Sequence, residues 1–333
     1  MNVGSFFRFT FGICVVAVTA AGCAGVSATR GALAALPQTH ARVVKSWISP
    51  EAATAKQLLY AGDPTGDPSY SGVIDIFSLH GLKYTLVGQI QDDSAPDGMT
   101  TDASGNLYVT DMGVATEGPA VGDIKVYPKG STQYSRFIVP GKWIPFDVAV
   151  DRRGTMYVSN IAPIGSFSPG SVSIFPPSAS QPSRTLRLKN FQVYGITLHA
   201  RTKTIYISYY ADGSQGRIAE FKNARGKAID FGVTFPEPWG LLEDGSDNLL
   251  AADGAGTIEV YSEASHQLVG QISVPNGAEW MAFDAARKRL YVSNFQQIEV
   301  LRYPSGRVIG TITQPGWGKT NYPTGLALWP PPP

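Results

Sequence analysis

A ring of six four-stranded sheets, an all-β six-bladed β-propeller, is the architecture this 333-residue chain predicts. One strand motif occurs six times, its copies are evenly spaced, and a strand at the C-terminus has no sheet of its own.

The motif is hydrophobic-x-hydrophobic-aromatic. It reads Ile74-Asp75-Ile76-Phe77, Ile124-Lys125-Val126-Tyr127, Val172-Ser173-Ile174-Phe175, Ile218-Ala219-Glu220-Phe221, where glutamate stands third, and Ile258-Glu259-Val260-Tyr261, and ends at Ile298-Glu299-Val300-Leu301, where leucine replaces the aromatic residue. Gly72, Gly122, Gly170, Gly216 and Gly256 stand two residues ahead of the first five copies, and their backbone freedom predicts a turn of positive φ into each strand. A second strand comes before each copy and closes on Asp63, Asp111, Asn160, Tyr209, Asp253 or Asn294. β-Branched and aromatic residues fill both runs. From Asp63 to Asn294 the intervals average about 46 residues, the length of a propeller blade.

An apolar strand precedes that one in turn, and a tight hairpin joins the two. Met99 to Asp102 leads into Ala103-Ser104-Gly105-Asn106, and Val148 to Asp151 into Arg152-Arg153-Gly154-Thr155. The aspartate can bond the turn's backbone and the glycine can supply its positive φ. The outermost strand is the faintest, visible in Leu268 to Ile272 and Val308 to Ile312. Strand order is thus a, b, c, d in every blade. The chain enters at Leu58 on a b-type strand, and it finishes with an a-type strand, Pro323 to Trp329. Pairing these two completes the sixth blade and leaves no open edge in the ring.

The N-terminus reads separately. Arg8, the apolar run Phe9 to Thr19 and small residues up to Cys23 form an export signal; a spanning helix would need ~20 apolar residues. Ala20-Ala21-Gly22-Cys23 resembles the bacterial lipobox, in which the chain is cut before a cysteine that becomes lipidated, with Ala20 where leucine is usual. Cleavage at another nearby small residue would instead give an ordinary exported protein. The expected organisation is a signal peptide over 1–22, an Ala-rich tether over 23–52 and the propeller over 53–333. With Cys14 discarded, Cys23 is the one cysteine left, and no internal disulfide can form. The expected place is the cell envelope, on its periplasmic or extracellular face, as a monomer held to the membrane by the lipid alone.

Lys plus Arg number 27 against 26 Asp plus Glu, a balance without the basic stripe that nucleic-acid binding requires. The d-to-a and b-to-c connections of a propeller share one face, so the a-strand starts and b-strand ends meet at one channel mouth. The former supply the candidate ligand-binding residues Asp97, Phe146, Asp147, Tyr194, Trp239, Glu279 and Trp280. Rings beside carboxylates suit a small molecule, a carbohydrate or an envelope protein. The same residues have a structural reading: aromatics before a glycine can pack between blades, and Asp or Asn after strand b can cap a loop. Three long loops on this face, Gly62 to Gly72, Met112 to Gly122 and Ile161 to Gly170, bias the expected binding surface towards the first three blades.

From about Leu58 to Trp329 the chain resembles the six-bladed superfamily of NHL-repeat proteins, the senescence-marker/gluconolactonase family and streptogramin lyases. Pro96-Asp97-Gly98-Met99-Thr100-Thr101-Asp102-Ala103-Ser104-Gly105-Asn106-Leu107-Tyr108-Val109 is similar to the gluconolactonase segment whose first Asp binds the catalytic divalent metal. That resemblance implies a hydrolase of lactones or related esters, with Asp97 and Glu279 as ligands to calcium, zinc or manganese. Thr324 stands where the family has Asn, and Glu279 precedes Trp280 instead of lying in Gly-Glu-Gly-Pro. His40, His80, His199 and His266 show no metal-ligand spacing, and His199 aligns with a turn-opening Asp away from the mouth. The residues themselves therefore favour a non-catalytic binding module that needs no cofactor, with the metal-dependent hydrolase as the alternative.

Overall fold

The computed structural model describes residues 45–64, 72–92, 95–112, 122–163, 169–188, 191–199, 201–211, 215–319 and 322–333. The segments read as export signal and as lipobox at Cys23, most of the expected tether and the middles of the three long loops lie outside the described residues. Six antiparallel sheets make six blades. In order a to d, blade 1 is Leu326–Trp329, Leu58–Pro64, Gly72–His80 and Lys83–Gln91. Blade 2 is Pro96–Thr101, Leu107–Asp111, Asp123–Tyr127 and Arg136–Ile138; blade 3 is Trp143–Val150, Met156–Pro163, Ser171–Phe175 and Arg184–Arg187. Blade 4 is Phe191–Leu198, Ile205–Ala211, Gln215–Phe221 and Ile229–Asp230; blade 5 is Leu241–Glu243, Asn248–Ala252, Thr257–Ser262 and Leu268–Ser273. Blade 6 is Met281–Phe283, Arg289–Ser293, Ile298–Arg302 and Arg307–Ile312. Each a strand contacts the next around the centre of the ring.

The repeated c-strand motif follows from burial on both sheet faces. Its first residue looks towards the next blade and its fourth towards the previous one, since residues three apart on a strand face opposite ways. Ile124 accordingly packs with Val148 and Val158 of blade 3, whereas Tyr127 packs with Leu58 and Ile74 of blade 1. Phe175, Phe221 and Leu301 occupy the same inter-blade position further round. Phe77, Phe175 and Phe221 are at most 1% exposed, and burying such a side chain contributes ~1.5–3 kcal/mol. The hydrophobic core is therefore a set of wedges between blades.

Closure occurs as the sequence predicts. Leu58, Leu59, Tyr60 and Ala61 pair with Trp329, Leu328, Ala327 and Leu326, and Gly62 and Thr324 extend the ladder with bonds of 3.0 and 2.7 Å. Part of the segment read as tether adds to this blade: Trp47–Ile48 pairs with Gln89 and Gly88 as a fifth strand. A short helix, Pro50–Thr54, follows it. Pro50 suits a helix start, where its missing N–H has no intrahelical partner to lose, and Ala52 is small enough to be fully buried beside the blade. Among the described residues no helix is long and apolar enough to cross a membrane.

The hairpin glycines behave as expected, with φ of +90° at Gly105 and +81° at Gly154. The glycines before the c strands differ from expectation. Gly256 is left-handed at +114°, but Gly122, Gly170 and Gly216 are not; a Cβ there would fall 2.4 Å from Pro145, 2.7 Å from Val193 and 2.9 Å from Phe235. Those three are needed for close approach of the chain.

Candidate functional site

The a strands enter the channel through irregular pairings. Register shifts against strand b fall between Pro96 and Met99 in blade 2 and between Val193 and Ile196 in blade 4, which places Asp97-Gly98 and Tyr194-Gly195 inside β-bulges. Bulges re-aim side chains, and these two sit at the mouth. The glycine lets neighbouring a strands touch: a Cβ on Gly98 would lie 2.4 Å from the Asp147 Cα, and one on Gly325 would overlap the Asp97 carbonyl.

Hydroxyls on the b strands then bind this inner ring together. Thr110 Oγ1 donates towards the Gly98 and Phe146 carbonyls at 2.9 and 2.7 Å. Ser208 Oγ accepts the Gly195 N–H at 2.8 Å and donates to the Trp239 carbonyl at 2.7 Å. Ser159 reaches Tyr194 O in the same way, and Ser293 accepts the Trp280 N–H at 3.1 Å. This role is invisible in one strand, although the recurring Thr or Ser is in plain sight in the b-strand sequences.

The predicted aromatics come together. Phe146 and Tyr194 meet edge to face at 4.9 Å between ring centroids, Phe146 lies 5.6 Å from Trp280 and 6.2 Å from Trp239, and Tyr194 lies 6.3 Å from Trp239. Phe146 and Trp280 are buried, 2% and 5% exposed; Tyr194 and Trp239 are half-buried at the edge of the cluster. Tyr210 stacks against Tyr194 edge-on at 5.3 Å, and the Trp239 indole N–H donates to Glu237 Oε2 at 2.9 Å. Sequence reasoning did not reach Tyr210 or Glu237, because both lie outside the repeated positions.

The carboxylates fall into two kinds. Asp147 is engaged by backbone: Oδ1 accepts the Val148 N–H at 2.7 Å and Oδ2 the Ile196 N–H of the next blade at 2.9 Å. Burial pushes its pKa up to about 7 against the lowering effect of those two bonds. Asp97 and Glu279 are the carboxyls that burial holds largely protonated at neutral pH. Burial pushes Asp97 up to about 8, opposed by the Met112 N–H and reinforced by the charge of Asp147. Burial likewise pushes Glu279 up to about 8, reinforced by Glu237 and Asp97. The Tyr322 hydroxyl, near both, is raised as well, by burial first.

The b-strand ends have structural partners. Asp253 caps its loop by accepting the N–H groups of Ala255, Gly256 and Thr257, and Asn294 does the same for Gln296 and Gln297. Asn160 donates to Ser171 and Ser173, Tyr209 to Asp230, and Asp63 accepts the Trp317 indole N–H. Asp111 belongs to a buried ion cluster in which Lys125 Nζ reaches Asp92 at 2.5 Å, Asp111 at 3.2 Å and Asp123 at 3.7 Å.

Metal binding at the mouth would rest on Asp97, whose Oδ2 is buried without a hydrogen bond, and on Glu279. Thr324 Oγ1 donates to the Pro96 carbonyl at 2.9 Å. Among the described residues one His/Asp/Glu trio has metal-ligand spacing, His199, Asp247 and Glu263, and it lies at the opposite face. There the Arg201 N–H donates to His199 Nδ1 at 3.2 Å, which leaves the ring proton on Nε2, 3.5 Å from both carboxylates. A metal on Nε2 would need that proton on Nδ1, where a donor already stands. The trio is a close polar contact between turns.

No family model matches this chain, and no curated protein does. Its fold is similar to that of a chain in the crystal structure of a nidogen/laminin complex, with a TM-score of 0.62 at 13% identity over 82% of this chain and 97% of that one. The shared feature is the propeller fold.

Proposed function

We propose that this chain is a non-catalytic binding propeller of the cell envelope, which meets its small-molecule, carbohydrate or protein ligand at the channel mouth. The observation that carries the reading is the aromatic cluster itself: Phe146 and Trp280 fill the centre, while Tyr194 and Trp239 stay half-exposed beside the Glu237 carboxylate. A ring face next to a carboxylate acceptor suits a sugar or an organic cation. The structural neighbour comes from a complex of two proteins, which supports a protein partner by analogy of fold only. Titration of oligosaccharides and quaternary ammonium compounds, followed by tryptophan fluorescence, tests the site. Binding should weaken by ~1–3 kcal/mol in Trp239→Ala, and ligands bound equally well by that variant would place the site elsewhere.

Export and lipid anchoring rest on the Phe9 to Thr19 run and on Ala20-Ala21-Gly22-Cys23. Cys23→Ser should move the protein to the soluble fraction; a native protein that is already soluble and begins elsewhere would overturn the anchor.

The metal-dependent hydrolase remains as a second reading because Asp97 Oδ2 is buried and unbonded next to a second carboxylate. A bound divalent ion there would polarise an ester carbonyl or activate a water; Asp97 and Glu279 would hold it. Metal content and lactone hydrolysis in the purified protein, both lost in Asp97→Asn, would favour this reading over the binding module.

A further inference from the structure

Away from the mouth, at the seam between blades 6 and 1, lies a groove of about 850 Å³ lined by Lys288, Arg289, Arg302 and Arg307 together with Leu82 and Val308. Three of its cations form a row. Arg289 is the direct cross-strand partner of Arg302, and Arg302 is that of Arg307. Directly opposed residues of an antiparallel pair project from the same face of the sheet, and like charges so placed destabilise it. With strands ~4.8 Å apart the row spans about 10 Å.

No carboxylate stands within ion-pair distance of the row among the described residues, although Asp284 and Asp244 lie nearby. Among the described residues Lys288, Arg302 and Arg307 make no ion pair, and Arg289 is held by the Gly81 carbonyl at 3.0 Å. Asp284, on the same turn, accepts the backbone N–H groups of Lys288 and Arg289. Asp244, which touches the groove through the Tyr303 hydroxyl, is bonded to Ser246 and Asn248 as well. Beside the charges, Leu82 and Val308 remain 51% and 45% exposed.

From this juxtaposition we infer that the blade 6–blade 1 groove is a binding site for a phosphate-bearing anion, with Arg302 and Arg307 as its principal contacts and Arg289 and Lys288 at its flank. Guanidinium groups bind phosphate oxygens in bidentate fashion, and an anion seated across the row would relieve its repulsion. The phosphate has two sources, a soluble phosphate ester or an anionic phospholipid headgroup, for which Leu82 and Val308 would offer apolar contact. The site is independent of the mouth.

The test compares the full chain with Arg302→Gln/Arg307→Gln by calorimetric titration of tripolyphosphate at low salt, and by cosedimentation with vesicles of phosphatidylcholine with and without phosphatidylglycerol. The native protein should bind in a salt-sensitive way, and the double variant at least about tenfold more weakly, since two charge-assisted contacts are gone. Its melting temperature should be unchanged or higher, a result that a structural role for the row would reverse. Row-dependent binding of tripolyphosphate alone assigns a soluble phosphate; row-dependent binding to phosphatidylglycerol vesicles assigns the headgroup. The inference falls if neither probe binds, if the double variant binds within twofold of the native protein, or if it melts well below it.

Discussion

Phe146 and Trp280 stand on blades 3 and 6, opposite sides of a six-membered ring, and their rings lie 5.6 Å apart at an interplanar angle of 35°. Side chains from opposite blades can meet only on the axis, so these two close the channel at this level. Phe146 lies at a register shift within its a strand, and Trp280 stands just ahead of its own, packed against Gly240 of the neighbouring blade. The ring closure thus depends on aromatic contact across the axis as well as on the wedges between neighbours.

Removing that contact should destabilise the fold. Trp280→Ala empties a buried position and should cost ~3–5 kcal/mol in denaturant unfolding. Trp239→Ala, at a half-buried ring, should cost clearly less while impairing ligand binding. Equal losses for the two would contradict the distinction between plug and rim.

The b-strand hydroxyls make a second prediction. Ser208→Ala leaves the Gly195 N–H and the Trp239 carbonyl without their shared partner and should lower stability by ~1–3 kcal/mol, read from the denaturation midpoint. Ser208→Thr should retain most of it, and a neutral alanine variant would show that water replaces the hydroxyl.

Lys125 is surrounded by three aspartates and is 3% exposed. Lys125→Met keeps its length but strands Asp92 and Asp111 in a buried site, so a loss of ~3–5 kcal/mol is expected. Burial and the neighbouring aspartates already hold the Asp111 pKa well above its ordinary range against the pull of Lys125. Unfolding measured at low pH, where these carboxyls are protonated, should show a smaller difference between the two proteins.

Stability should fall as pH rises from about 4 to about 8. Asp97 and Glu279 titrate near 8 in the folded chain, well above the unfolded range. The native state therefore keeps protons that the unfolded state releases, and each group contributes a negative slope of up to ~1.4 kcal/mol per pH unit in that window. Asp97→Asn mimics the protonated form and should make the profile less steep across that whole window. An unchanged slope in the variant would show that Asp97 ionises normally.

Deleting residues 323–333 should strip strand a from blade 1 and expose the edge at Leu58 to Ala61, with aggregation or a large drop in melting temperature. A soluble truncated protein with native melting behaviour would mean that closure does not depend on this pairing.

Blade number, strand order and the closing pair could be read in advance because they are properties of single strands. A c strand buried on both faces carries apolar residues at its first and fourth positions, and Ile74 to Phe77 or Val172 to Phe175 display that, with a third apolar residue between them. The mouth was only partly legible. Residues such as Phe146 and Trp239 mark the starts of a strands, but nothing in their neighbourhoods tells a plug from a rim. Asp111 and Asp253 look alike in sequence, yet one joins a buried ion cluster and the other caps a loop.

By itself, then, the sequence determined the all-β ring, its six blades and the strand that shuts it, since burial and turn chemistry act over a few residues at a time. Only the tertiary structure decided that Phe146 meets Trp280, that Ser208 links Gly195 to Trp239 and that Arg289, Arg302 and Arg307 stand in one row. Those contacts depend on the register and bulges of strands brought together by the fold, and a register shift of one residue would turn each side chain to the other face.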